Sequence, residues 1–257
     1  MQIIRYEQKS FPPQWGWLYD GRVGALSGSP FEPFHRLETH VAVEKVKLLP
    51  PVIPGKIIAI GRNYIEHAKE QQVEVPDTPL IFLKPASTVI GPGCNILLPP
   101  QSKQVEFEAE LAVVIGKTGR WIDMQHVDEY IFGYTIANDV TARDLQHSDS
   151  QWTRSKGFDT FCPLGPWIET DIDPSDILIT CRVNGEIRQM ASTREMVFNI
   201  PQLVVYISSV MTLMPGDVIL SGTPAGVGQL EPDDQITISI EGIGDLVNHV
   251  KRDSRAP

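Results

Sequence analysis

Apolar residues in this chain fall in short runs punctuated by Gly, Pro, Asn and Asp, which predicts many short strands and few helices. Trp15–Tyr19 and Val23–Leu26 flank Asp20-Gly21, a hairpin signal, and Ile177–Val183 and Glu186–Gln189 flank Asn184-Gly185, the strongest one in the chain. Further strands are expected at Lys56–Gly61, Leu80–Pro85, Phe107–Gly116, Phe132–Ala137, Pro166–Glu169 and Val218–Leu220, with Ile236–Ile240 closing the chain. Helical composition is limited to Asn63–Gln72, with Asn63 as its cap, to Thr141–Gln146, and to a stretch from Pro201 in which Leu203, Val204, Ile207, Val210 and Met211 keep helical spacing. Arg154–Asp159 reads as a loop. The proline-rich Leu49–Gly55 divides a small N-terminal β domain, 1–50, from a larger domain, 51–257. The fold class is α+β, mainly β.

Composition narrows the function. At 257 residues, 42% apolar and 21% charged, the chain can bury a full core, as an ordinary globular enzyme does. A net charge of −10 with no basic run argues against nucleic acid as a partner. No signal peptide is visible, and the apolar runs stop short of a membrane span, so no membrane partner is expected. Cys94, Cys162 and Cys181 are odd in number and lack C-x-x-C spacing, so a reduced, cytoplasmic protein is expected.

The stretch Phe107–Gly116 carries the first chemistry. Glu108 and Glu110 lie two residues apart at its start, and a period of two puts both on one face. Paired acids repel unless they are protonated, matched by a base or bound to a metal. Pairing with Lys or Arg on a neighbouring strand is the plain alternative, but Leu111–Ile115 is too apolar for an exposed strand. Asp139, between a strand and a helical stretch, is either a helix cap or a third ligand. Three monodentate carboxylates would leave about half of an octahedral shell open, which suits Mg²⁺ or Mn²⁺ and a bidentate oxygen ligand.

His67 and Glu70 share a helix face and can act as a base and its orienter, although His67 alone reads as a surface or satisfied histidine and a Glu at helical spacing is common by chance. That helix, joined through the polar Val73–Pro79, could move as a lid. Lys156 alone reads as a solvated loop cation. Gly222-Thr223-Pro224 and Gly226-Val227-Gly228 lack the lysine of a phosphate loop; a tight turn lending N–H groups or the Thr223 hydroxyl to a carboxylate fits better.

Taken together, Ile60–Tyr64, Phe82–Pro85, Phe107–Gly116, Gly133 to Asp144, Ser155–Asp159 and Pro215 to Gly228 resemble, in order, the fumarylacetoacetate hydrolase superfamily, in particular its bacterial acylpyruvase and 2-hydroxyhepta-2,4-diene-1,7-dioate isomerase-like members. The first 50 residues are similar to the small N-terminal domain that many bacterial members carry. The resemblance implies a mixed β-roll catalytic domain, usually a homodimer, with a divalent cation held by Glu108, Glu110 and Asp139. It implies His67 and Glu70 as the acid/base pair, Lys156 as the active-site lysine, and Arg143, Gln146 and Thr223 as substrate contacts. Glu106, a third acid on the same face, falls outside the ligand set. The expected activity is hydrolysis of a carbon–carbon bond in a small 2-oxo acid of acylpyruvate or fumarylpyruvate type. Oxaloacetate decarboxylation or tautomerisation, or hydroxy-dienedioate isomerisation, is the alternative within enzymes. A metal-stapled binding protein is the alternative outside them.

Overall fold

The run Ala109–Ile115 is a strand buried along its whole length in the computed structural model, which describes residues 1–9 and 11–254. Both of its faces are covered, and this accounts for an apolar run that does not alternate. Leu111, Val113 and Ile115 share a core with Ile179, Cys181, Ile238 and Leu246 of a second sheet and with Leu203, Val204 and Ile207 of the helix Ile200–Val210. Ala112 and Val114 belong to a separate core with Ile3, Val52, Ile57, Ile168 and Leu220.

Among the described residues the strands form three sheets, and the largest has 12 strands. Ala109–Ile115 lies near its middle, antiparallel to Ile131–Asn138 on one side and to Val218–Leu220 on the other. Val218–Leu220 runs parallel to Ile57–Gly61, which pairs in turn with Leu80–Lys84. On the far side Ile131–Asn138 pairs with Cys162–Glu169, which meets Gln2–Glu7 of the N-terminal strands through Gln2↔Glu169 and Ile3↔Ile168. The five-stranded sheet holds Leu178–Val183, Glu186–Ser192, Gln235–Ile240, Gly244–Arg252 and Asn95–Leu98. The fold is mainly β, with a small N-terminal domain whose strands continue the largest sheet through the pairing of Gln2–Glu7 with Cys162–Glu169.

Both hairpins form where the turn residues place them. Tyr19 pairs with Arg22 around Asp20 and Gly21, and Val183 with Glu186 around Asn184 and Gly185; all four turn residues have positive φ, as a two-residue turn between twisted strands requires.

Four local expectations are corrected. The first helix spans only Ile65–Glu70, and Asn63 does not cap it. Asn63 is instead a buried lock whose amide donates to the carbonyls of Phe198 at 3.0 Å and Ser221 at 2.7 Å, while its oxygen accepts from the Phe198 N–H. The expected loop at 154–159 begins in a short helix, Thr153–Lys156. Val210 ends its helix exposed, because the buried stripe there is Ile200, Leu203, Val204, Ile207 and Ser208. Gln235–Ile240 does not close the chain, since Gly244–Arg252 follows it; Asn248 on the buried face of that strand, satisfied by the carbonyls of Gly91 and Cys94, interrupts the apolar alternation that would have marked it.

Candidate active site

The expected strand from Phe107 is broken at Glu108. Val105–Phe107 belongs to a three-stranded sheet with Thr141–Ala142 and Gly228–Gln229, and the central strand begins only at Ala109. Side-chain amides bridge the break: Asn138 Oδ1 accepts from the Glu108 N–H at 2.9 Å and Gln189 Oε1 from the Ala109 N–H at 3.0 Å. The Asp139 N–H donates to the Glu108 carbonyl at 2.9 Å, tying the end of Ile131–Asn138 to the bend. As a result, carboxylate oxygens of Glu108, Glu110 and Asp139 lie within 4.8 Å of one another, and all three residues are buried.

Cations surround two of the three acids. Asp139 meets Lys84 Nζ at 2.6 Å and Lys156 Nζ at 2.5 Å. Glu108 meets Lys156 at 2.8 Å and Arg143 at 2.6 Å, and Arg143 also donates to Glu106 at 2.7 Å and to Gln146 at 2.5 Å. Lys156 is thus fully buried, and its ammonium also lies over the Phe82 ring. Burial opposes ionisation of Glu108, but Lys156 and Arg143 outweigh it and hold the carboxyl well below the usual carboxylate range. Burial likewise works against the Lys156 ammonium, and Asp139 and Glu108 reverse the effect and raise its pKa.

Glu110 differs. Its carboxylate accepts the Gly222 N–H at 2.6 Å, and among the described residues no cation lies within ion-pair distance of it. Burial, with the charges of Asp139 and Glu108 added, raises its pKa well above the ordinary value, against Lys156 and the Gly222 N–H. Four buried acids, Glu106, Glu108, Glu110 and Asp139, face three buried cations, Lys84, Arg143 and Lys156. The unmatched acid sits within an all-oxygen donor set, and this set fits a hard divalent cation.

His67 Nδ1 lies 3.2 Å from Glu70 Oε2, and the other Glu70 oxygen accepts the Gly226 N–H at 3.0 Å. The glycine turn therefore lends N–H groups to two carboxylates of the protein itself, Glu110 and Glu70. The Thr223 hydroxyl fastens the turn to the central strand, donating to the Ala109 carbonyl at 2.9 Å and accepting from Gln189 at 2.8 Å. Gly222 has φ +97°, and an added Cβ would stand 2.7 Å from the Asn63 Cβ. Gly222→Ala should therefore lower stability by about 1–3 kcal/mol in urea unfolding and weaken metal binding by displacing the N–H that fixes Glu110. Wild-type values of both would refute that role for the turn.

A cavity of about 130 Å³ stands over these groups, lined by His67, Glu108, Glu110, Asp139, Arg143, Gln146, Lys156 and Thr223. Glu70 stays off the lining, behind His67. Three residues of the site are not among the expected ones: Lys84, whose side chain is fully buried against Asp139, and Arg62 and Trp152, which line the cavity. The signals for Lys84 were its place at the end of an apolar strand directly before Pro85 and within the family-like segment Phe82–Pro85.

Comparison with known proteins adds to this geometry. Residues 56–251 match the family model described as "Fumarylacetoacetate (FAA) hydrolase C-terminal", and residues 1–51 match "Rv2993c-like, N-terminal". The chain is 46% identical over 218 residues to the mitochondrial oxaloacetate tautomerase Fahd2a of Rattus norvegicus, covering 80% of this chain and 70% of that one. The solved structure of 5-carboxymethyl-2-hydroxymuconate delta-isomerase from Mycobacterium smegmatis superposes with a TM-score of 0.91 at 43% identity, over 98% of this chain and 100% of that one. 2-hydroxyhepta-2,4-diene-1,7-dioate isomerase from Mycobacterium marinum gives 0.91 at 41% identity, over 99% of each chain. Among the described residues no helix is long and apolar enough to cross a membrane.

Proposed function

The chain belongs to the fumarylacetoacetate hydrolase family, and we propose that it is a Mg²⁺- or Mn²⁺-dependent hydrolase that cleaves a carbon–carbon bond in a small 2-oxo acid of acylpyruvate or fumarylpyruvate type. Family members are enzymes, which sets aside the metal-stapled binding protein. The observation that carries the reading is the convergence of Glu108, Glu110 and Asp139 in a cavity that also presents His67 backed by Glu70. A cavity this small suits a substrate of a few carbons.

Bound there, the cation would supply a Lewis acid for the negative charge that gathers on the 2-oxo oxygen. With Glu70 engaging Nδ1 of His67, Nε2 is the nitrogen left to take a proton from water, which then attacks the distal carbonyl. The Lys156 ammonium, held charged by Asp139 and Glu108, stabilises the charge developing on the reacting oxygen. Arg143 keeps Glu108 ionised and in place.

A second reading is favoured by the names of the relatives, one an oxaloacetate tautomerase and two isomerases. Polarisation of the same 2-oxo acid permits a proton shift, or decarboxylation, without attack by water. Purified protein with Mg²⁺, Mn²⁺ or a chelator, assayed on acetylpyruvate, fumarylpyruvate and oxaloacetate, tests both readings. Metal-dependent release of pyruvate from an acylpyruvate is the expected result; conversion of oxaloacetate enol alone would replace hydrolysis by tautomerisation.

Glu108 and Glu110, the two shifted acids buried in the site, contribute opposite pH dependences to stability. Glu108, with its pKa lowered on folding, contributes stability above the unfolded carboxylate pKa that is lost as pH falls through the folded value. Glu110, with its pKa raised, contributes stability below the unfolded pKa that is lost as pH rises through the folded value. A cation that needs Glu110 ionised must displace its proton, so the rise in melting temperature on adding Mn²⁺ should grow with pH until Glu110 is fully ionised. A rise independent of pH in thermal melts would contradict this.

A further inference from the structure

Three of the basic side chains in or beside the cavity, Lys84, Arg143 and Lys156, are neutralised by the protein's own acids. Arg62 also lines the cavity, and among the described residues nothing accepts a hydrogen bond or forms an ion pair with its guanidinium. It is half-buried, so part of its charge is withdrawn from water without compensation.

The backbone at Arg62 is equally unusual. Its φ is +60°, a left-handed conformation that costs a side-chain-bearing residue about 1–3 kcal/mol and that glycine adopts freely. The neighbours impose it. Gly61 ends its strand under the Trp152 ring, which an added Cβ would meet at 2.8 Å. Asn63 is locked to Phe198 and Ser221 by its side chain and to the Val197 N–H by its carbonyl. An arginine held in a costly conformation, lining a cavity and without a side-chain partner among the described residues, is placed for an anion from outside. The planar guanidinium matches a carboxylate through two parallel hydrogen bonds.

We infer that Arg62 binds the second carboxylate of a 2-oxo dicarboxylic acid whose 2-oxo acid end lies at Glu108, Glu110 and Asp139. This rests on the proposed function and narrows its substrate class: substrates with a charged far end are preferred over acylpyruvates with a neutral one.

Calorimetry on the full-length Mn²⁺-loaded protein tests the assignment with 2-oxoglutarate and 2-oxopentanoate, which share a carbon chain and differ only at the far end. Wild type should bind 2-oxoglutarate at least about tenfold more tightly, and Arg62→Gln should bring the two ligands within about twofold. Arg62→Gly, which relaxes the backbone, should lose the same preference without losing thermal stability. Equal binding of the two by wild type, or a preference that survives both substitutions, overturns the role of Arg62 while leaving the metal chemistry standing. If neither 2-oxo acid binds the Mn²⁺-loaded wild type, the proposed function falls and this inference falls with it.

Discussion

Glu110→Gln is expected to remove divalent-metal binding and turnover from a protein that stays folded. Glutamine keeps the shape and an oxygen to accept the Gly222 N–H, but it removes the one acid of the cluster that has no ion-pair partner among the described residues. The metal-free protein should therefore melt no lower than wild type, because the substitution removes an acid that burial and the charges of Asp139 and Glu108 already disfavour in its ionised form. Mn²⁺ affinity should fall by more than about a hundredfold, beyond the loss typical of an outer partner of a metal ligand. Glu108→Gln makes the contrast. It also removes a ligand, but it leaves Arg143 and Lys156 short of a counter-charge in a buried site, where breaking a pair costs about 3–5 kcal/mol. Both variants should lose the metal, and only Glu108→Gln should lose substantial stability in urea unfolding. Unchanged Mn²⁺ affinity of Glu110→Gln in calorimetry would refute the proposed ligand set.

That contrast depends on something the sequence did not reveal. Periodicity identified two acids on one face and a strand too apolar to be exposed; the strand is buried, and the carboxylates converge even though Glu108 lies outside it. It could not reveal the break at Glu108, because the groups that replace the missing ladder bonds, Asn138 and Gln189, come from 30 and 80 residues further along the chain. The neutralising cations are equally remote. Lys84 reaches Asp139 across 55 residues, and neither its place at the end of a strand nor the family-like segment around it points to that partner. Lys156 taken alone reads as a solvated cation, and only the family resemblance marks it as the active-site lysine, because its surroundings, Phe82, Glu108 and Asp139, arrive from other parts of the chain. Asn63 was misread for the opposite reason: local rules make asparagine before a helical stretch a cap, and tertiary hydrogen bonds to Phe198 and Ser221 claimed its side chain instead. Hairpins were legible because their information is local, two turn residues able to adopt positive φ between apolar runs. The charge balance of the buried site was illegible because it is a property of four strands and two short helices at once.

His67→Ala should slow acylpyruvate hydrolysis by about two to four orders of magnitude while leaving Mn²⁺ affinity nearly unchanged. The imidazole lines the cavity, yet among the described residues its only side-chain hydrogen-bond partner is Glu70, so its removal leaves the bonds that hold the proposed ligands in place. Glu70→Gln should cost less, because the Gly226 N–H and the helix still position the side chain while only the charge behind Nδ1 is lost. The double variant should be no slower than His67→Ala alone, since Glu70 acts on the reaction only through the ring it holds. The same series separates the two readings of the activity. A tautomerase or isomerase that moves a proton without activating water would keep near-wild-type turnover of oxaloacetate enol in His67→Ala, whereas a hydrolase needs the base in every turnover. Loss of hydrolysis together with retention of enol conversion would show that the acid cluster suffices for the proton shift, and that the pair on the helix Ile65–Glu70 is what commits this site to breaking a carbon–carbon bond.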